Sequence, residues 1–195
     1  MKRQVCAVVA ILLFAGACGS SEPSEPDPTR DAATSADKTP AAEKLVAAPG
    51  RVGPVLAGMS VDEAKQTGYF EAFKTVGDDP CEDTNPPIQW RAPYFETHTV
   101  RVEGEKIASL GVRSGTKTDK GIGVDDTLAE VEAAYAGAEV SPSQALGSTV
   151  YVQDGDKWLG LAFNEEPDEI EDSSKVTFME VSLGSKPATF LSGCS

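Results

Sequence analysis

Two short stretches of one design constrain the fold of this 195-residue chain more than any other feature. Ser60-Val61-Asp62-Glu63 and Thr127-Leu128-Ala129-Glu130 each place a hydroxyl three residues before a glutamate. In a capping box the hydroxyl accepts a backbone N–H at the start of a helix, and the glutamate reaches back to the N–H of the capping residue. The two boxes lie 67 positions apart. Leu128, Val131, Ala134 and Tyr135 then form an apolar stripe at helical spacing, and Val61, Ala64 and Lys65 a weaker one. Gly68 and Gly137 stand where each short helix would end.

Strand-like sequence follows each helix. Ile88–Ala92, Thr97–Gly104 and Lys106–Ser114 alternate in the first half, with Glu103-Gly104-Glu105 as a tight turn. Ser148–Gln153 and Lys157–Phe163 flank Asp154-Gly155-Asp156, and Asp-Gly between alternating runs signals a hairpin. Lys175–Gly184 completes the set. The expected architecture is α+β: an antiparallel sheet with two short helices packed on one face. Two readings stand: a tandem helix-plus-strands repeat with halves 51–120 and 121–195, or two capped helices alike by chance.

"GMSVDEAKQTG" and "GVDDTLAEVEAAYAG" resemble the G-M-T-x-x-E-V helix openings of the small outer-membrane assembly lipoproteins and of the β-lactamase inhibitory protein family. The arrangement is also similar to that of actinobacterial-type lipoproteins. The resemblance implies helices laid on an antiparallel sheet, in the inhibitory family as two tandem copies. It covers two short stretches and transfers no inhibitory or assembly residue.

Lys2 and Arg3, the apolar run Val5–Phe14 and the small residues Ala15-Gly16-Ala17 have the three-part layout of a secretory signal over residues 1–17. The oily run is shorter than the roughly 18 apolar residues that span a bilayer. Ala15-Gly16-Ala17 fits an ordinary cleavage site. With Cys18 it also resembles a bacterial lipobox, although Ala15 stands where that box prefers Leu. Cysteine parity favours lipidation of Cys18: once Cys6 has left with the signal, it leaves Cys81 and Cys194 as a pair. A structural disulfide between them fits an oxidising compartment.

Residues 18–50 are rich in Ser, Pro, Ala, Asp and Glu, and read as a tether too poor in apolar surface to fold. Residues 51–195 are expected to form one domain. The chain carries a net charge of −14, and loss of Lys2 and Arg3 makes it more acidic still. Such a chain disfavours nucleic acid.

Chemistry is sparse. His98 is the only imidazole, in a strand pattern with Val100 and Val102, and no nucleophile elbow accompanies it. No cofactor pattern stands out, and no metal-ligand spacing surrounds the cysteines. The acidic run Asn164–Lys175 lacks the glycine and spacing of an EF-hand, and reads as a solvated loop rather than a calcium site. Trp90, Arg91, Tyr94 and Phe95 are residue types that anchor interfaces, and they equally suit a core short of aromatics. The expectation is a non-catalytic binding or scaffolding lipoprotein, lipid-anchored on the extracytoplasmic face of the cell membrane, with an unknown envelope protein or ligand as partner. The alternatives are a protein inhibitor or sensor of a secreted enzyme and, third, a hydrolase with an unrecognised site.

Overall fold

The computed structural model describes residues 44–73, 86–143 and 147–188. The signal, Cys18 and the tether up to residue 43 lie outside these residues, as do Cys81 and Cys194. The domain begins earlier than residue 51. Leu45 is buried in the core, and Val46–Ala48 form the first strand, β1. That strand pairs antiparallel with β2 (Arg51–Val52), which pairs with β3 (Val55–Leu56). It also pairs in parallel with β8 (Lys117–Thr118), closing a small four-stranded sheet. Its strands are two or three residues long, too short to express a period, so sequence pattern gives no sign of them.

The expected helices are present: α1 is Val61–Gln66 and α2 Leu128–Ala134. Both capping boxes are formed, with Glu63 and Glu130 accepting from the backbone N–H of Ser60 and Thr127. The Ser60 hydroxyl and N–H on Glu63, and the Thr127 N–H and hydroxyl on Glu130, hold these carboxyls below the usual carboxylate range. Gly68 and Gly137 follow the helices at φ +82° and +84°, a region that costs glycine nothing.

The main sheet has six strands, all antiparallel, in the order β6-β7-β12-β11-β10-β9. These are β6 (His98–Glu103), β7 (Lys106–Val112), β9 (Val140–Pro142), β10 (Ser148–Asp154), β11 (Lys157–Phe163) and β12 (Phe178–Leu183). A third, two-stranded sheet pairs β4 (Phe70–Ala72) with β5 (Ile88–Trp90). The β6–β7 turn is Gly104-Glu105, with both φ positive, as a tight hairpin turn of right-handed twist requires.

Register sorts the main sheet into rows. Val100, Leu110, Val181, Leu159 and Val152 stand opposite one another across five strands. His98, Val112, Met179, Leu161, Val150 and Val140 form the next row. All except His98 belong to the hydrophobic core or pack against it, joined by Ala64 of α1 and by Leu128 and Val131 of α2. Each such fully buried aliphatic side chain contributes roughly 1.5–3 kcal/mol.

Each helix start is tied to the chain at or just before a strand of the main sheet, β7 for α1 and β12 for α2. Val61 N–H donates to Glu105 O at 3.0 Å, and Ile107 N–H to Met59 O at 2.8 Å. In the second half Leu128 N–H donates to Ser174 O at 2.8 Å, and Val176 N–H to Asp126 O at 2.9 Å. Ser60 thus bridges Lys106 as Thr127 bridges Lys175. The acidic run supplies the second clamp with its main chain, the Asp172 carbonyl also accepting from Ala129 N–H. Most of its carboxylate side chains stay exposed.

Helices of six and seven residues are too short to persist alone, so their caps carry weight. Ser60→Ala and Thr127→Ala should each lower unfolding free energy by about 1 kcal/mol. Urea melts of the two single variants and the double variant measure this, and the two losses should add because the caps share no partner.

Candidate functional site

An aromatic cluster in the first half is the most chemically distinctive part of the molecule. Gly68 turns the chain out of α1 into Tyr69 and Phe70, β5 brings Trp90, the turn after β5 brings Tyr94, and β6 begins with His98. Trp90 lies at its centre. Its ring centroid is 4.5 Å from Phe70, 5.1 Å from His98, 6.1 Å from Tyr94 and 6.3 Å from Tyr69. The Tyr94 ring meets His98 edge-on at 5.3 Å. Such pairs add about 0.5–1.5 kcal/mol beyond the area they bury.

Of the four residues expected to meet a partner, Trp90 is 1% exposed and belongs to the core. It is no surface anchor, because the register that pairs it with Phe70 turns its ring inward and its indole Nε1–H donates to Thr99 O at 3.0 Å. Arg91 is half-buried, with Nε–H donating to Phe70 O at 3.0 Å. Tyr94 packs against the core. Phe95 alone stands out, at 54% exposure. Its turn is fixed by Tyr94 N–H to Arg91 O at 2.9 Å, Thr97 N–H to Tyr94 O at 3.0 Å and His98 N–H to Tyr94 O at 2.8 Å. The four residues lie within six positions, and the sequence does not reveal which ring turns outward. Tyr69 and Phe70, which complete the cluster, lie some twenty positions upstream and carry no local sign of their role.

His98 is buried, and both ring nitrogens are engaged. Nδ1 lies 2.8 Å from Thr97 Oγ1, and Nε2 lies 2.9 Å from Thr116 Oγ1. The Thr97 hydroxyl gives its hydrogen to Tyr94 O at 3.2 Å, so it accepts from Nδ1–H. Nε2 then carries the lone pair and accepts from the Thr116 hydroxyl. Burial pushes the imidazole pKa down to about 4, with a hydrogen bond to the Tyr94 backbone working the other way. At neutral pH this histidine is uncharged, and its basic nitrogen is already occupied. It can hold β6 against the aromatic cluster, whereas proton transfer to a substrate would require both the burial and the Thr116 bond to be undone.

Elsewhere the polar groups serve the fold. Asp126 is pushed up by burial, but the Lys117 ammonium at 3.0 Å and the Gly123 N–H hold it below its ordinary value overall. Among the described residues no three His, Cys, Asp or Glu side chains gather as a group that could hold a metal ion. Among the same residues, no helix is long and apolar enough to cross a membrane.

A cavity of about 190 Å³ opens between β5 and β6, lined by Phe73, Ile88, Trp90, Phe95, Thr99 and Val100 among others. No family model, curated protein or solved structure matches the chain.

The histidine makes stability pH-dependent. Its pKa is about 4 in the folded chain and near 6.5 when unfolded, so the unfolded state binds the extra proton between those values. Stability from this group is full above about pH 6.5, declines as pH falls and is gone below about 4, a loss of about 3 kcal/mol. Denaturant melts from pH 7.5 to 4 should show this component in the wild type. It should be absent from His98→Gln, which leaves only the carboxylate titrations.

Proposed function

We propose that this chain is a membrane-anchored extracytoplasmic lipoprotein whose domain binds or scaffolds a component of the cell envelope without catalysis. The observation that carries the reading is Phe95: a large apolar ring held in solvent by a hydrogen-bonded turn, next in the chain to Tyr94 of the packed aromatic cluster. Rigid aromatic side chains set in a well-packed surround are what binding hot spots consist of. Tyr94, its neighbour in the chain, packs against Trp90, and Phe95 and Trp90 line one cavity. The occupied and buried state of His98 supports the non-catalytic part of the reading. The anchor rests on Cys18 behind residues 1–17, and a Cys81–Cys194 disulfide would suit the same compartment. Partners are a lipid membrane, through Cys18, and an envelope protein or ligand; nucleic acid is not among them.

We also read the domain as a tandem repeat with its helices on the core face of the sheet. In each copy a capped helix is followed by four strands, β4, β5, β6 and β7, then β9, β10, β11 and β12, with the two-residue β8 in the connection between the copies. The matched clamps at Ser60–Lys106 and Thr127–Lys175 support this, as does the central pairing of the two last strands, β7 and β12.

Two experiments test the proposal. Cys18→Ser should move the protein from the membrane fraction to the soluble extracytoplasmic fraction, and retention of the variant on the membrane would refute the anchor. Phe95→Ala should abolish recovery of specific envelope partners in a pull-down at a stability cost below about 1 kcal/mol. Trp90→Ala should cost roughly 3–5 kcal/mol, as removal of a core indole does. A Phe95→Ala variant that recovers the same partners as the wild type would remove the surface reading.

A further inference from the structure

We infer that the gap between β5 and β6 is a binding site for a small single-ring aromatic compound carrying a hydrogen-bond donor, such as a phenol. The inference rests on the binding-domain reading and names the ligand chemistry beside Phe95.

The two halves treat equivalent strands differently. In the second half β10 and β11 form a continuous ladder of seven pairs, from Ser148–Phe163 to Asp154–Lys157. In the first half, among the described residues, no backbone hydrogen bond joins β5 to β6, and β5 belongs to a separate sheet. What joins them is the Trp90 indole on Thr99 O and the packing of Trp90 against His98. The cavity occupies the place of the missing ladder. Its walls include three consecutive residues of each strand, Ile88 to Trp90 and His98 to Val100. Successive residues of a strand point to opposite faces, so a hollow touching three in a row on both sides lies in the plane of the sheet, between strand edges.

Size and lining select the ligand. A cavity of ~150 Å³ with apolar walls holds benzene. The 190 Å³ here accommodates one ring with a small substituent. Ile88, Val100, Trp90 and Phe95 supply the apolar walls, with Phe95 the exposed member among them. Gln89 supplies direction. Its Nε2–H donates to Glu71 Oε1 at 2.9 Å, which orients the amide, and in the inferred site the amide oxygen is the group that accepts from a ring hydroxyl. A ring without a donor would fill the same space but leave that acceptor unanswered.

The probe is p-cresol, with toluene as the ring lacking a donor, titrated into the full-length protein and followed by methyl NMR. The methyls of Ile88 and Val100 should shift saturably, while those of Leu159, at the matching depth in the second half, stay still. Toluene should bind at least threefold more weakly than p-cresol. Val100→Phe, which fills the hollow, should weaken p-cresol at least tenfold. Gln89→Leu sits on a half-exposed position that the core does not use, and should erase the preference for p-cresol over toluene. The inference is overturned if p-cresol causes no saturable shift, if Leu159 shifts equally, or if both variants bind as the wild type does. Partner recovery that depends on Phe95, together with silent p-cresol titrations, would remove the cavity assignment and leave the surface reading standing.

Discussion

The pairing of β7 with β12 is the joint on which the rest of the structure depends. Four residue pairs cross it: Val112–Met179, Gly111–Glu180, Leu110–Val181 and Ser109–Ser182. Leu110, Val112, Met179 and Val181 are at most 1% exposed and sit at the middle of both core rows. Without this joint, β7 and β12 would each be an edge strand with its apolar face uncovered, a template for aggregation rather than a fold. With it, each half supplies the other's missing neighbour. Space is tight here, since a side chain at Gly111 would collide with Thr99 and Phe178.

Local devices then fix each half to this joint. A helix of six or seven residues contributes little by itself, and its first N–H groups need acceptors. One solution, used twice, is for the capping residue to enter a bridge with the chain just before or at the start of β7 or β12, so that helix entry and strand entry are set together. The first half reaches this with a two-residue turn. The second uses the long acidic run, which serves the fold through its carbonyls, through Ser174, buried with its hydroxyl accepting from Glu171 N–H, through the Glu166 carboxylate accepting from Gly147 N–H at 3.2 Å, and through Ile170 against the core.

What the sequence makes legible follows from length scale. Capping boxes act within four residues and hairpin turns within two, so α1, α2, β6, β7, β10 and β11 are visible from their own residues. Strands β1, β2, β3, β4, β8 and β9 are two or three residues long and owe their existence to partners elsewhere in the chain. Leu45 shows the difficulty: it lies in a stretch whose composition says tether, yet Val52, Val55 and other core residues give it a place to bury. The aromatic cluster is legible in the same partial way. Trp90, Arg91, Tyr94 and Phe95 announce something at that position, but Trp90 turns inward because Phe70 and Tyr69 wait there, and nothing near residue 90 encodes that.

The first half also departs from the second in how it holds its outer strands. The β10–β11 ladder distributes cohesion over seven pairs, whereas β5 is attached to β6 by ring packing and one indole hydrogen bond among the described residues. Backbone ladders are cooperative along their length; a ring stack is a point attachment. The β4–β5 pair is therefore held to the main sheet by side chains rather than by a backbone ladder, with Phe70, Ile88 and Trp90 all at most 1% exposed. His98 stands at that boundary, closing a core row on one side and stacking on Trp90 on the other. Its two threonine partners offset the cost of burying an imidazole and fix its ring plane. A neutral, oriented ring here holds the edge of the main sheet and one wall of the cavity in a single geometry, so the join between the two sheets depends on the protonation state of one side chain.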